Sequence, residues 1–495
     1  MAAVRCLPVS RSPGLPVLGW GRLRAWIAAR PVGPWLIPLV FLLLLPISVP
    51  RVALSDEVQY FSYLRSVYFD GDLDFRNEYT HFAEQGQRFG DPAIFNALLR
   101  EDANNPNPIT GLLRNVAPVG SAILWAPGFL LADGFVQLAN AFGAAIPRDG
   151  YARPYILGVC LMTALYSLLG LLLTYRLARR YTGDFAATLA TLTVFLASPL
   201  VFYTYIAMPW SHATGFFLFA LFLSIWMRHW GHALERGLGV WLLLGLVGGL
   251  MVITREQLGL LLIIPALEAL WVYGGLLRTR RWGDVIVLLG RHAAFLAALA
   301  LVLTPQLVVY QILNGQPTPS STVSGKLIWS SPNFLNTLID PGRGAFLWSP
   351  VLAIGLAGLV VLGRRDAGLA LLLLAGFLAQ TYINGAFGTT WHLRRAFGFR
   401  RLIEVTPIFV LGLAALLEWL RPRLGPWPLL VAAALLIAWN VGLIAQWTLI
   451  RPAIRDELIW QDMLRYQLIE VPTQLGGKIW ALLFNRCELM TNQSC

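Results

Sequence analysis

The run Leu54-Ser55-Asp56-Glu57-Val58-Gln59-Tyr60 sets two adjacent carboxylates directly after a long apolar stretch. Carboxylates at a membrane face are costly to keep there and have chemistry to offer. Asp56 is the candidate catalytic base, able to take the proton of a hydroxyl that attacks the anomeric carbon of a phosphate-linked sugar. Glu57 is its catalytic neighbour. The same residues can serve structure, because Ser55 and Asp56 are good N-cap types and negative charge suits a helix start. Tyr60, Tyr63, Leu64 and Val67 recur at three- and four-residue intervals, which predicts an amphipathic helix on the outer membrane surface. Further on, Asp70, Asp72 and Asp74 offer oxygen ligands, but His81 stands where a calcium loop needs Glu. That stretch reads as a solvated turn. No metal ligand set and no cofactor is assigned, with a divalent metal left possible.

Cations form the other half of such chemistry. Residues 384–401 hold four Arg among Gly and aromatic residues, and guanidinium forks match phosphate oxygens in a bidentate way. Charge on a departing phosphate must be met by preorganised cations, and Arg255, Lys326, Arg394 and Arg395 are the candidates. The structural alternatives are snorkelling of the loop Arg to lipid headgroups and a solvated Lys326. His212, in Ser211-His212-Ala213, is placed to orient sugar or phosphate, or to serve as a helix-end hydrogen-bond donor. Tyr60 and Trp391 complete the candidate substrate contacts. Trp391, like Trp210, Trp329 and Trp348, can stack on a sugar face or simply anchor an interface.

The elements that must carry these residues are membrane spans. The 495 residues are 57% hydrophobic and only 13% charged, and apolar blocks recur from residue 33 to 447. This is the composition of an all-α polytopic membrane protein. The net charge of +12 comes almost wholly from Arg, since Lys occurs only at Lys326 and Lys478. In such a chain it reads as cytoplasmic loop charge, not nucleic-acid binding. The positive-inside rule keeps residues 1–32 in the cytoplasm and sends an uncleaved first span, about 33–50, outward. Residues 51–117 then form an outer loop. The interrupted stretch 118–146, with Pro118, Pro127 and Asp133, is expected to be re-entrant or interfacial. Spans at about 151–176, 184–206, 210–228, 238–254, 257–275, 286–311, 346–363, 367–383, 402–420 and 426–447 complete about eleven crossings. The membrane domain is thus 33–447, with outer loops 312–345 and 384–401 and a short outer tail, 448–495. Of the four Cys, only Cys487 and Cys495 are spaced to pair.

Asp56-Glu57 followed by Tyr60 and Arg65 resembles the first outer-loop motif of the GT-C glycosyltransferases, the superfamily of protein O-mannosyltransferases, aminoarabinose transferases and their RgtA-like relatives. Pro118-Val119-Gly120 with Trp125-Ala126-Pro127, Pro209 to Ala213, Thr254 to Gln257 and Trp391 to Arg401 are similar to later segments of the same transferases. The resemblance covers about 33–420. It implies a GT-C helix bundle with outer-face interfacial helices, a polyprenyl-phosphate sugar donor, and a lipid, glycan or protein acceptor. Its active site would lie on the extracytoplasmic face of the cell membrane, with Asp56 at the position of the catalytic carboxylate. Inversion at the anomeric carbon is the expected outcome. The competing class is a lipid or glycolipid transporter or flippase. Against it, few ionisable residues fall deep in the spans and no inverted repeat is evident.

Overall fold

A computed structural model describes residues 31–88, 91–450 and 454–485. Most of the expected N-terminal cytoplasmic segment lies outside the described residues, as do Cys487 and Cys495. The main helices are α1 Gly33–Leu44, α2 Ser55–Arg65, α3 Arg76–Arg88, α4 Gly120–Ala141, α5 Arg153–Ala178, α6 Asp184–Leu196, α7 Ser211–Trp226 and α8 Leu238–Thr254. They continue with α9 Ile263–Arg278, α10 Trp282–Asn314, α11 Pro350–Gly363, α12 Ala367–Ala386, α13 Thr406–Leu424, α14 Pro426–Ala445, α15 Trp460–Arg465 and α16 Val471–Phe484. No strand occurs among the described residues, and Leu327 and Phe387 form an isolated antiparallel bridge.

Among the described residues six helices are long and apolar enough to cross a membrane: Gly120–Ala141, Arg153–Ala178, Glu256–Arg278, Trp282–Asn314, Ala367–Ala386 and Pro426–Thr448. Shorter apolar helices stand at Gly33–Ile47, Asp184–Leu196, Leu238–Thr254 and Pro350–Gly363. Many apolar side chains on these helices face outward, among them Ile286, Leu301 and Leu435, each about two-thirds exposed or more. Water does not tolerate such continuous apolar faces, while hydrocarbon does, and a helix satisfies its own backbone there. The chain is a multi-pass membrane protein.

Inside the bundle the helices touch where side chains are smallest. Gly355 and Gly358 of α11 lie against Gly412 of α13, and Gly128 of α4 against Gly158 of α5, so closely that a Cβ at any of them would strike the facing backbone. Helices α7 and α13 form the buried centre. Two expected spans are broken. The stretch 184–206 is split between Leu196 and Leu200 by Pro199, and 346–363 is split at Ser349, before Pro350. Proline lacks the donor and biases its predecessor away from helix.

Residues 118–146, expected to be re-entrant or interfacial, are largely helical. Gly120–Ala141 is one continuous helix through Pro127, by length and apolarity able to cross. Its one acid is neutralised in place: Asp133 accepts from Tyr155 (2.7 Å), Tyr68 (2.9 Å) and Arg148 (3.0 Å). The helix pairs with only part of α5. Leu124 accepts from Tyr166, Gly128 meets Gly158, and Asp133 meets Tyr155. The other end of α5 reaches Asp184 through Tyr175. Gly120, where α4 begins, abuts Ile253 and Thr254, where α8 ends.

Helix α2 also departs from expectation. Tyr60, Tyr63 and Leu64 are buried, as is every residue from Glu57 to Leu64. The three- and four-residue spacing therefore marks a helix covered on all sides, not one lying on a surface. Its lid is α3, α4 and the loop before α4: Tyr63 donates to the carbonyl of Ala117 (2.9 Å), and Asn115 donates to that of Gln59 (2.9 Å).

Candidate active site

Two neighbouring carboxylates take opposite roles at the start of α2. Glu57, at the third helical position, folds back so that Oε2 accepts the free amides of Ala53 (2.8 Å) and Leu54 (3.0 Å). Its Oε1 accepts the indole N–H of Trp210 (2.8 Å). A carboxylate at this position reaching back over the helix start satisfies donors the helix cannot. Burial pushes its carboxyl above the usual range, against those three hydrogen bonds. The capping work expected of Asp56 thus falls to Glu57. Asp56, one residue earlier, is left 41% exposed, and its one charged partner among the described residues is Arg400 at 3.1 Å.

Arg400 lies flat on the face of Trp210, its guanidinium carbon 3.9 Å from the ring centroid. Trp210 therefore holds Glu57 through its edge and Arg400 through its face, which fixes the Asp56–Arg400 pair between two elements far apart in sequence. Beside it, Ser211 donates to the Tyr60 hydroxyl (2.8 Å) and accepts from Arg255 (3.0 Å). The other side of Arg255 faces Glu404 at 2.9 Å, and Glu404 also meets His212 Nδ1 at 2.7 Å. His212 Nε2 and Glu404 Oε2 are buried without a hydrogen-bond partner.

Arg401 completes the group. Its guanidinium stands 4.3 Å from the Phe387 ring centroid and makes long contacts of 3.4 Å to the carbonyl and hydroxyl oxygens of Thr390. Asp56 answers Arg400 and Glu404 answers Arg255, but no carboxylate among the described residues is within ion-pairing distance of Arg401. Burial first, then the charges of Arg400 and Arg255, push Arg401 down to about 9. A cation held at a cost beside two others is a standing invitation to an anion.

The expected site residues are distributed as follows. Asp56, Glu57, Tyr60, His212 and Arg255 come together around Trp210 and Ser211. Arg394 and Arg395 are exposed in the same loop and have no contact with Asp56, the amide of Arg395 donating instead to the carbonyl of Arg455 (3.0 Å). Trp391 packs edge-on to His392 and has no contact with Asp56. Lys326 lines a separate small cavity beside Ser55. Arg400 and Arg401, two of the four Arg of the loop but not the pair expected to bind phosphate, belong to this group, as does Glu404, which was not expected there. A signal for Glu404 was available, since it is the sole acidic residue between Asp366 and Glu418.

The acidic turn is occupied with its own loop. Asp72 takes the hydroxyl of Ser66 and the amide of Asp74, Asp74 caps Arg76, and Asp70 pairs with Arg65 and accepts from Asn77. Among the described residues no three of His, Cys, Asp or Glu stand together as a metal would need.

No protein-family model and no curated protein matches the chain. Among solved structures, the chain is similar to ArnT from Cupriavidus metallidurans in its apo state, at 16% identity over 95% of this chain and 78% of that one, with a TM-score of 0.45. It is similar at the same identity and TM-score to the same protein bound to undecaprenyl phosphate, over 94% of this chain.

Proposed function

We propose that the chain is a membrane glycosyltransferase that moves a sugar from a polyprenyl-phosphate donor to an acceptor hydroxyl on the extracytoplasmic face. One observation carries the reading: a half-exposed carboxylate, Asp56, stands against a group of three guanidiniums of which one, Arg401, has no carboxylate to balance it. The motif resemblance around Asp56-Glu57 supports the same assignment.

In this reading Asp56 takes the proton of the acceptor hydroxyl. The freed oxygen pair forms the new bond to the anomeric carbon as the bond from that carbon to the phosphate oxygen breaks. The electrons of that bond leave on the polyprenyl phosphate, whose charge is met by Arg400, Arg401 and Arg255. As Arg400 turns to the phosphate it releases Asp56, so donor binding frees the base. Attack from the face opposite the leaving phosphate gives inversion. Glu57 and Trp210 position Asp56 and Arg400, and Glu404 with His212 positions Arg255.

The test is purified chain in proteoliposomes, offered a panel of polyprenyl-phosphate sugars. Consumption of one donor with release of polyprenyl phosphate is expected. A folded preparation that consumes none of them, with or without added hydroxyl acceptors, would count against the reading.

A further inference from the structure

A cavity of about 160 Å³ lies along the first turn of α2, on the side of the helix that carries Ser55 and Gln59. Ser55 directly precedes Asp56 in the chain. Arg114, Lys326, Thr322 and Asn104 line the same space, and no Asp or Glu does. Arg114 is held by neutral oxygens alone, donating to Thr322 Oγ1 (2.8 Å) and to the carbonyl of Ala103 (2.7 Å). Neither Arg114 nor Lys326 has a carboxylate within ion-pairing distance among the described residues. Burial pushes the Arg114 guanidinium below its usual range, so the charge is kept there against solvation.

Two cations without counter-charge among the described residues and the hydroxyls of Ser55 and Thr322 make a basin for an oxyanion. This basin is distinct from the group around Arg401, yet tied to it. Gly388 donates to the Lys326 carbonyl (2.9 Å), Ile328 to that of Ala386 (2.7 Å), and Phe387 between them is the ring under Arg401. One pair of bonded loop segments therefore carries both Lys326 and the ring that faces Arg401.

We infer that the Arg114–Lys326 cavity is a second oxyanion site, one that receives an acidic group, phosphate or carboxylate, borne by the acceptor. The inference rests on the transferase reading and assigns Lys326 to the acceptor instead of the donor phosphate. An acidic group anchored there brings a hydroxyl of the same molecule toward Asp56, the residue next to Ser55. Neutral acceptors lack the anchor.

The experiment uses the full chain in nanodiscs of phosphatidylcholine, which carry no net charge. Binding of inorganic phosphate and of glucuronate is measured by calorimetry, alone and after saturation with farnesyl phosphate as a stand-in for the spent donor. At least one of the two anions is expected to bind with farnesyl phosphate already in place, and which one identifies the acidic group. That binding should fall about tenfold or more in Lys326→Gln, the loss of a charge-assisted hydrogen bond, and return in Lys326→Arg. Lys326→Gln removes no side-chain hydrogen bond from the fold, so it stands in for Arg114→Gln should that variant fold poorly. The inference is overturned if farnesyl phosphate displaces all anion binding, if neither anion binds, or if Lys326→Gln binds like the parent. Failure of the transferase reading looks different. Farnesyl phosphate itself would then fail to bind, or would bind equally to Arg401→Gln, while the Lys326-dependent anion site persisted.

Discussion

At the scale of single residues, the carboxylate pair separates into one bonded into the helix start and one left part-exposed beside Arg400. Glu57 answers two backbone amides and an indole, so Glu57→Ala strands three donors and should cost about 1–3 kcal/mol for each one left buried without a partner. Thermal unfolding in detergent reads this as a lowered Tm, and Glu57→Gln, which keeps an acceptor, should lose less. The cations separate in the same way. Arg401→Gln should weaken donor use by about 1.5–3 kcal/mol, the contribution of a charge-assisted hydrogen bond, read as a rise in the donor concentration needed for half-maximal turnover. Arg394→Ala and Arg395→Ala, exposed and without contact to Asp56, should stay within about 0.5 kcal/mol of the parent. If the order is reversed, with Arg394 or Arg395 sensitive and Arg401 tolerant, the phosphate site lies elsewhere in the loop. Asp56 and the basic loop could be found in the sequence because a carboxylate pair is rare directly after an apolar span and clustered Arg are rare where the positive-inside rule expects the outer face. Which Arg of the loop turns inward could not. That depends on positive φ at Leu393 and Arg395 and on Arg343, which grips the carbonyls of Ala396, Arg455 and Asp456. None of those contacts leaves a local sequence signal.

At the scale of elements, apolar length was the strongest guide. Helices such as α5, α8, α10 and α14 begin and end close to the expected spans because a bilayer demands a fixed length and the ends carry polar or basic residues. Short-range periodicity misled at α2, since spacing alone cannot tell a helix half in water from one roofed by other loops. The loop 51–117 holds a pH-sensitive tie between α2 and α3. Arg65 donates to Glu78 at 3.0 Å, and burial pushes the Glu78 carboxyl up to about 7 in spite of that bond. The folded loop then binds the proton more tightly than the unfolded chain, whose Glu titrates at its usual 4.5. Its stabilising contribution is full below pH 4.5 and is lost as pH rises to about 7. Glu78→Gln, which cannot ionise, should match the parent in Tm at pH 4.5 and exceed it at pH 8. A variant less stable than the parent at pH 8 would show that the ion pair with Arg65 outweighs the burial.

At the scale of the whole molecule, the account requires 51–117 and 384–401 to share one face, since Asp56 comes from one and Arg400 from the other. Single cysteines at the exposed positions Gln87 and Thr389 should label with an impermeant thiol reagent in intact cells, and one at Thr279 should not. Labelling of Thr279 with protection of Gln87 would invert the molecule. Bundle class was open to sequence reasoning through composition, whereas the join between distant loops was not, because Trp210 holds Glu57 and Arg400 only once α2 and α7 have packed. The central claim is that Asp56 is the base. Asp56→Asn keeps the size of the side chain and leaves the helix start to Glu57, so the protein should fold and bind donor. Turnover of polyprenyl-phosphate sugar in proteoliposomes should nevertheless fall by about 10²–10⁴-fold, the contribution of a general base. Turnover at the parent rate would contradict the account.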